Sequence, residues 1–403
     1  MAERSYALNR LRTYLDHRKL RLKARNARKT MKMLYIKHRS GKRMNNFAIS
    51  AILAARELGF DFTIANNMSL AEPGHFEQVC AQYGIKMVDI PFSRNPLSPD
   101  NIKAGKQLLA LMQKERYDIV HCNTPSGGMV GRICAKLAKV PVIIYQAHGY
   151  HFWKGAPLKN WIFYYPIEKL LSYWTNIAIT ITREDEEMAK KRLHAGQVEY
   201  VPGVGIDLTK YALPTADRKE KRESIGIPDN ATLLISVGEL NENKNQESVI
   251  RAIAGMDVYY IIAGVGDNHQ HLLDVAAEVG MSERVKLLGF RTDVRDLYAC
   301  SDVFVIPSFR EGLSVSMMEA MASHIPCVAG RIRGNVDLLP DSELLFDPHN
   351  IAELKTAIQK ALNNEIAKRE VEMNNSTLQK FSMTEAVSAM KEIYEKAVKM
   401  IEK

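Results

Sequence analysis

The strongest constraint on the fold is a repeated alternation between short apolar runs, rich in β-branched residues, and segments long enough to form helices. Six such runs lie in the first half of the chain, at residues 33–37, 62–66, 86–90, 118–122, 142–146 and 177–181. Five more follow at 233–237, 259–263, 285–288, 303–306 and 327–329. Runs without polar alternation are typical of parallel strands that helices cover on both faces. The sequence therefore predicts an α/β protein with two doubly wound, Rossmann-like domains.

The length of 403 residues also favours two hydrophobic cores over one. A stretch containing Pro202, Gly203 and Gly205, followed by a charged segment, is typical of a linker. We predict a basic arm over residues 1–32, a first domain over 33–205 and a second over 206–383. The amphipathic segment 384–403 either closes the second domain or crosses back onto the first. Two facing sheets predict a ligand site in the interdomain cleft, beyond the carboxyl ends of the strands.

The charge of the chain is concentrated at its N-terminus. The net charge is +9, and residues 1–32 carry eleven Lys and Arg against two acids, which leaves the remainder neutral. A neutral body with one basic arm argues against a nucleic-acid partner and favours an arm that touches a membrane as an amphipathic helix. Five scattered cysteines, no long apolar stretch and no apolar signal segment favour a cytoplasmic protein with reduced thiols.

The most informative segment is residues 307–322, where a predicted strand ends and Gly312 opens a helix. Backbone N–H groups of Gly312, Leu313 and Ser314 at that helix start would favour a bound phosphate. Glu311 precedes the helix, and Glu319 lies inside it among methionines and alanines, which makes a solvated position less expected. We predict that Glu311 accepts hydrogen bonds from sugar hydroxyls and Glu319 from a ribose diol.

These residues carry a family resemblance. The Glu311 and Glu319 spacing, Gly238 with Lys244, Gly264 with Gly266, and the 205–207 linker resemble glycosyltransferase family 4. The segments 148–152 and 331–335 are similar to its bacterial capsular and exopolysaccharide branch. The resemblance covers residues 33–403. It implies a GT-B fold with a nucleotide-sugar donor on the second domain, an acceptor on the first domain, and retention of the anomeric configuration.

The resemblance also implies the roles of single residues. His148, Lys244 and Glu311 would be the catalytic set, with Lys244 on the diphosphate and His148 donating a hydrogen bond near the reacting carbon. The donor site would add Gly238, Glu319 and residues 312–314. The family commonly has arginine where this chain has Glu239, so Arg291 or Arg310 would replace that cation. No Asp-x-Asp sequence is present, so we expect neither a metal nor another cofactor.

The acceptor site is expected at strand ends of the first domain. His121, Asn123 and Thr124 would hold an acceptor hydroxyl, although a structural histidine is an equal alternative for His121. Gly41 and Arg43 lie in the first strand-to-helix loop, whose basic residues would contact an acceptor diphosphate. This loop carries one glycine where the family often has two, which weakens its case as a tight phosphate loop.

The branch resemblance favours a UDP-hexose or UDP-N-acetylhexosamine donor in surface polysaccharide synthesis. Residues 150–174 hold all three tryptophans of the chain together with several tyrosines and lysines. Such a segment is typical of a surface at a lipid headgroup boundary, with Trp153 and Lys154 as its best candidates, or of aromatic core packing. The first alternative predicts a polyprenyl-diphosphate-linked glycan acceptor and peripheral contact with the inner membrane surface. Rival functions are a UDP-sugar 2-epimerase and a non-catalytic sugar-nucleotide or nucleic-acid binding protein.

Overall fold

The computed structural model describes residues 30–403, apart from positions 40, 42, 94, 96, 97, 154 and 213. Most of the predicted basic arm, residues 1–29, therefore lies outside the described residues. The described chain forms two parallel sheets with helices on both faces, which confirms the predicted α/β architecture of two Rossmann-like domains.

The first domain contains a seven-stranded parallel sheet in the order β3-β2-β1-β4-β5-β6-β7. Its strands are β1 (Lys32–Arg39), β2 (Asp61–Asn67), β3 (Lys86–Asp89), β4 (Ile119–Asn123), β5 (Val142–Gln146), β6 (Ile177–Thr180) and β7 (Gln197–Tyr200). Its helices are α1 (Asn46–Glu57), α2 (His75–Tyr83), α3 (Asp100–Glu115), α4 (Pro125–Leu137), α5 (Leu158–Ser172) and α6 (Arg183–Arg192). The chain order reverses between β1 and β4, so the loops after these strands flank a crevice.

The second domain contains a six-stranded parallel sheet in the order β10-β9-β8-β11-β12-β13. Its strands are β8 (Thr232–Val237), β9 (Val258–Ala263), β10 (Val285–Gly289), β11 (Val303–Ile306), β12 (Cys327–Gly330) and β13 (Leu345–Phe346). Its helices are α7 (Leu208–Ala212), α8 (Arg218–Ser224), α9 (Gln246–Ala252), α10 (His269–Glu278), α11 (Val294–Ala299), α12 (Val315–Ala322), α13 (Arg333–Leu338), α14 (Ile351–Ala361) and α15 (Asn364–Gln379). A 3-10 turn spans Glu242–Lys244. The reversal lies between β8 and β11.

Burial explains why these apolar runs form strands. Every residue of β4, β5, β6, β11 and β12 is buried, because helices cover both faces of each sheet. Each sheet thus has two apolar cores, one per face. The reversal of chain order in each sheet places the carboxyl ends of its central strand pair at the cleft.

The last helix, α16 (Met383–Ile401), packs on α1 of the first domain. Its buried residues Met390, Ile393, Tyr394 and Ala397 belong to the same core as β1 and β4. The chain thus crosses between the domains twice. The crossings touch at Ile206, whose N–H donates to Phe381 and whose carbonyl accepts from Met383, at 3.0 and 2.9 Å.

Candidate active site

A cavity of about 530 Å³ lies between the two domains, at the carboxyl ends of their strands. Loops of both domains line it, including His38, Thr124, His148 and Trp153 of the first domain and Asn243, Arg310, Glu311, Gly312 and Arg333 of the second. We call the Thr124 and His148 side the first-domain wall. The second-domain wall is the side of residues 310–312, together with Lys244, Leu313 and Ser314, which adjoin these residues and do not themselves line the cavity. Of the predicted residues, Thr124, His148, Arg310, Glu311 and Gly312 line this cavity.

Lys244 and Glu311 form an ion pair on the second-domain wall. Lys244 Nζ lies 2.6 Å from Glu311 Oε1, and the two side chains are only 22% and 14% exposed. Neighbouring asparagines hold both loops, since Asn243 Nδ2 donates to the Arg310 carbonyl and Asn245 Nδ2 donates to the Pro307 carbonyl. The structure therefore joins in one contact two residues to which the sequence assigns different positions along the donor.

The start of α12 presents backbone donors to this wall. Ser314 caps the helix, with its side chain accepting from the Met317 N–H. Within the described part of the chain, no group accepts a hydrogen bond from the N–H of Gly312, Leu313 or Ser314. The loop is packed closely from behind, because a Cβ at Gly334 would lie 1.3 Å from the Gly312 carbonyl oxygen. Only glycine fits at 334, and these three donors are thereby held in place.

Arg333 of the second domain joins the two walls. Its guanidinium lies 2.9 Å from Asp185 Oδ1, and these two side chains are 7% and 2% exposed. It also donates to the carbonyl oxygens of Tyr150 and Glu311, one in each domain. Arg310 and Arg333 both lie over the ring of Trp153, at 5.3 and 5.6 Å from its centroid. This clasp holds the loop after β5 against the loop that contains Glu311.

Glu319 lies away from the cavity lining, on the part of α12 that faces α7 and α11. Tyr211 and Tyr298 each donate a hydroxyl to it, at 2.6 Å to Oε1 and 3.2 Å to Oε2. Burial raises the pKa of this carboxyl, and the two hydroxyl bonds counteract that rise. Both oxygens already have a protein partner, so a ribose contact would use their remaining lone pairs.

His148 stands on the first-domain wall at the end of β5. Burial, with smaller contributions from Lys37 and His38, lowers its pKa to about 4, so its imidazole is neutral at pH 7. Its Nε2 lies 3.1 Å from Asn123 Oδ1, and Phe47 packs edge-on against the ring. A neutral His148 that donates from Nε2 to Asn123 presents Nδ1 as an acceptor. The predicted donation towards a sugar is thus taken up by Asn123 in this arrangement.

Thr124 adopts an unusual backbone conformation at the first-domain wall, just before α4. Its φ is 65°, which is uncommon for a β-branched residue. Its Oγ1 accepts from the His38 N–H at 3.2 Å, which ties the end of β4 to the end of β1. Such outliers persist where the surroundings fix them, often in binding sites. Thr124 is therefore held in position at the cavity.

Four predicted residues are not placed as ligand contacts. His121 is fully buried and its Nδ1 pairs with the Tyr394 hydroxyl of α16 at 2.9 Å, which favours the structural alternative over an acceptor contact. Arg291 lies outside the cavity lining and pairs through both Nε and Nη2 with Asp293, so its assignment as a replacement phosphate cation stays a prediction without support from this geometry. Arg43 is exposed and pairs with Glu72. Gly41 is exposed and a Cβ there would meet nothing within 4 Å, while its neighbours 40 and 42 lie outside the described residues.

Gly238 lies directly behind Lys244, because a Cβ at position 238 would come within 3.4 Å of Lys244 Cε. Its carbonyl oxygen would be 1.7 Å from a Cβ at Gly264, so the ends of β8 and β9 approach closely. Gly238 thus supports the lysine. Among the described residues, no three His, Cys, Asp or Glu side chains are grouped to hold a metal ion.

Comparisons with known proteins identify the family. A family model described as Glycosyl transferase 4-like matches residues 33–182, and one described as Glycosyl transferases group 1 matches residues 217–379. The chain is 31% identical to the putative glycosyltransferase EpsD of Bacillus subtilis over 351 residues, which are 84% of this chain and 90% of that protein. The chain belongs to glycosyltransferase family 4.

Two other known proteins extend the likeness. The chain is 27% identical over 308 residues to an Escherichia coli protein named UDP-Gal:alpha-D-GlcNAc-diphosphoundecaprenol alpha-1,3-galactosyltransferase, covering 73% of this chain and 79% of that one. The crystal structure of Anabaena HepE in complex with UDP shares the GT-B fold, with a TM-score of 0.74 at 19% identity, over 91% of this chain and all of that one. The predicted fold and family are thus confirmed.

Sequence reasoning missed two cations of this glycosyltransferase. The sequence places Arg333 directly after a strand end, which is a position typical of site residues. It does not reveal the ion pair, because the partner Asp185 is 148 positions away. Lys37 lies inside a strand run that reads as core. It is 6% exposed, burial lowers its pKa to about 8, and no carboxylate pairs with it among the residues that the structure describes.

Proposed function

We propose that this glycosyltransferase moves a hexose or N-acetylhexosamine from a UDP-sugar to a polyprenyl-diphosphate-linked glycan, with retention of the anomeric configuration. The step would build a bacterial surface polysaccharide. The main observation behind this proposal is the second-domain wall, where the Lys244–Glu311 pair adjoins the backbone N–H groups of residues 312–314. Within the described part of the chain, nothing accepts a hydrogen bond from these three groups.

This wall suits the leaving diphosphate. Breaking the bond between the anomeric carbon and the phosphate oxygen leaves negative charge on UDP, which fixed donors and cations stabilise without reorganisation. Lys244 supplies the cation, and the start of α12 supplies oriented N–H groups. Glu311, beside them, would accept from hydroxyls of the transferred sugar. Arg310, which lines the same cavity, would supply the second cation in place of the family arginine.

The relatives support a UDP donor and a lipid-linked acceptor. The name of the Escherichia coli relative specifies UDP-galactose and a diphosphoundecaprenol acceptor, and HepE was crystallised with UDP. We extend both ligand classes to this chain as part of the proposal. The hexose and N-acetylhexosamine alternatives differ at C2, which the pocket around Glu311 and His148 would contact.

Retention would proceed on one face of the sugar. The acceptor oxygen forms the new bond to the anomeric carbon on the side from which UDP departs, and its proton passes to an oxygen of the leaving phosphate. This path needs no protein nucleophile. Both carboxylates that line the cavity are engaged, since Glu311 pairs with Lys244 and Glu168 pairs with Arg132 at 2.8 Å. Cations and amides of the protein would replace a metal ion at the diphosphate.

The first-domain wall would hold the acceptor. Thr124 and His148 line the cavity, while Lys37 beneath them is a buried cation without a carboxylate partner among the described residues. A buried unpaired cation is costly unless an anion joins it. The diphosphate of a lipid-linked acceptor would supply that anion.

A thermal-shift screen tests the donor class. UDP and UDP-sugars should raise the melting temperature, whereas GDP and ADP should not, because a ligand that binds only the folded state stabilises it. The shift should survive EDTA. Lys244→Ala should weaken the UDP effect, with Lys210→Ala, an exposed lysine of the same domain, as its matched control. Preference for GDP, or a shift that depends on a divalent metal, would contradict the proposal.

A further inference from the structure

Helix α5 presents an apolar face to solvent. Of the 17 large apolar side chains exposed among the described residues, seven lie in or directly after this helix. They include Leu158, Phe163 and Tyr173, which are 73%, 67% and 61% exposed. The others are Ile162, Tyr164, Ile167 and Leu170. Soluble surfaces rarely concentrate apolar side chains in this way unless something binds there. We call these seven residues the α5 face.

The aromatic residues of α5 divide between the core and this face. Trp161 and Tyr165 pack on Phe152, at centroid distances of 5.6 and 5.3 Å, so they hold the helix against the first domain. The seven residues of the α5 face are 38–73% exposed, although Tyr164 and Tyr173 also stack on His151 and His194, at 4.6 and 4.2 Å. Core packing, the alternative explanation of this segment, thus accounts for one side of the helix only. The sequence favours Trp153 and Lys154 as the best candidates for contact with lipid headgroups. Lys154 lies outside the described residues, and Trp153 belongs to the Arg333 clasp.

The charges of α5 select the kind of partner. The helix contains one carboxylate, Glu168, which turns inward and forms two bonds with the buried Arg132. Lys159 and Lys169 are the helix's charged residues outside this pair. A second copy of this chain, packed symmetrically through its own α5 face, would bring the same lysines against that face with no free carboxylate of the helix to pair them. Anionic lipid headgroups would supply that charge above an apolar layer.

The position of the face relative to the cavity gives a second reason. Tyr164 and Ile167 belong to the α5 face and also line the cavity. The apolar surface therefore continues to the mouth of the site. A polyprenyl chain attached to a diphosphate in the cavity would leave along that surface.

We propose that the α5 face lies on an anionic lipid bilayer, with Lys159 and Lys169 at the headgroups, and so presents the cavity to membrane-bound acceptor. This inference rests on the proposed function for its acceptor, but the contact with lipid is testable separately. It needs no membrane-spanning segment, and among the described residues no helix is long and apolar enough to cross a bilayer.

The test uses the full chain and the variant Ile162→Ser/Phe163→Ser/Leu170→Ser, which avoids the cavity-lining residues. Sedimentation with phosphatidylcholine vesicles containing phosphatidylglycerol should show binding at least about tenfold weaker for the variant, since three apolar side chains leave the interface. The matched control is Ile102→Ser/Leu137→Ser, which removes exposed apolar side chains from α3 and α4. Lys159→Glu/Lys169→Glu should also weaken binding. The loss from this charge reversal should be smaller with vesicles that lack phosphatidylglycerol.

A polarity-sensitive fluorophore on Phe163→Cys locates the contact independently of other membrane-binding segments. Its emission should shift to the blue with vesicles, whereas the same label on Ile102→Cys should not shift. Unchanged sedimentation of the triple variant with an unshifted label would overturn the inference. An equal loss of vesicle binding in the Ile102→Ser/Leu137→Ser control would also overturn it. So would a native dimer that the triple substitution dissociates, if vesicles have no effect on either protein.

Activity separates this inference from the proposed function. The triple variant should keep its UDP-induced thermal shift and its transfer to a short-chain, detergent-soluble acceptor, and lose transfer to acceptor in vesicles. If no lipid-linked acceptor is used by the native protein while the label still enters the bilayer, the proposed acceptor is wrong and the membrane contact stands.

Discussion

The two walls of the cavity are built in different ways. The second-domain wall is held by contacts to the backbone, such as the hydrogen bond from Asn243 to the Arg310 carbonyl and the close approach of Gly334 to Gly312. The first-domain wall rests on buried polar side chains from separate strands, with His148 on Asn123 and Lys37 beneath them. Under the proposed function, the donor would meet backbone groups of the second domain, whereas the acceptor would meet buried side chains whose positions depend on tertiary packing.

The largest effect is expected where the two walls are joined. Arg333→Met leaves Asp185 buried without its cation, and breaking a buried pair typically costs about 3–5 kcal/mol. We expect a lower free energy of unfolding and, because the clasp holds both loops, little activity. Chemical denaturation and transfer assays measure the two losses.

The pH dependence of the same variant adds a check. Burial already raises the pKa of Asp185, and without Arg333 the pKa should rise further. A carboxyl whose pKa is higher in the folded than in the unfolded state lowers the free energy of unfolding as pH rises. The stability deficit of Arg333→Met should therefore shrink as pH falls towards about 5. Arg331→Met is the matched control. A deficit that is equal for both arginines would contradict the clasp.

Lys37 gives the second-largest effect, and with the opposite sign. Its pKa is about 8 in place of 10.5, so the folded protein releases its proton before the unfolded chain does and gains stability between those pH values. The full difference is roughly 3 kcal/mol. Lys37→Met should therefore be more stable than the native protein at neutral pH, with the advantage vanishing by high pH, and should have a raised KM for the acceptor.

Stability curves for both proteins across this pH range measure the effect. Lys32→Met, at the other end of the same strand, is the control, because that lysine is half-buried and already paired with Glu115. If Lys37→Met is destabilised at neutral pH, the lysine has a partner that this account lacks, and the contrast between the walls weakens.

Variants of the Lys244–Glu311 pair test the roles of the two residues in the second-domain wall. A charge-assisted bond typically contributes about 1.5–3 kcal/mol, or about 10- to 150-fold in affinity. Lys244→Ala should weaken UDP and the intact donor by that factor. Glu311→Gln should lower kcat and leave UDP affinity nearly unchanged. Calorimetry and kinetics on the single and double variants would show their coupling; strictly additive effects would mean that the pair is absent in the working enzyme.

The smallest effect is expected in the first loop of the first domain. Arg43→Ala and Gly41→Ala should change the free energy of unfolding by less than about 0.5 kcal/mol, as exposed positions usually do. Neither should change KM for the acceptor. A several-fold rise in that KM would restore the loop to the acceptor site and correct our placement of it.

The sequence predicts most of the fold because its buried strands read as unbroken apolar runs. It misses β7, which is half-buried and carries Gln197 and Glu199, and β13, which has only two residues. In the second domain, Lys244, Glu311 and Gly312 are predictable as local motifs. The burial of His121 against Tyr394 is not, since the two residues are 273 positions apart. The Arg291–Asp293 pair, in contrast, joins residues two positions apart and could have been predicted from the sequence as a local alternative to a phosphate contact.

The most direct test of the central claim is transfer itself. The purified protein is mixed with EDTA, a radiolabelled UDP-sugar and a short-chain polyprenyl-diphosphate-linked sugar, and the product's anomeric configuration is read by NMR. The proposed function predicts that the native protein forms a disaccharide lipid whose new linkage keeps the anomeric configuration of the donor. Glu311→Gln should form this product much more slowly. An inverted linkage, or epimerised UDP-sugar without transfer, would contradict it.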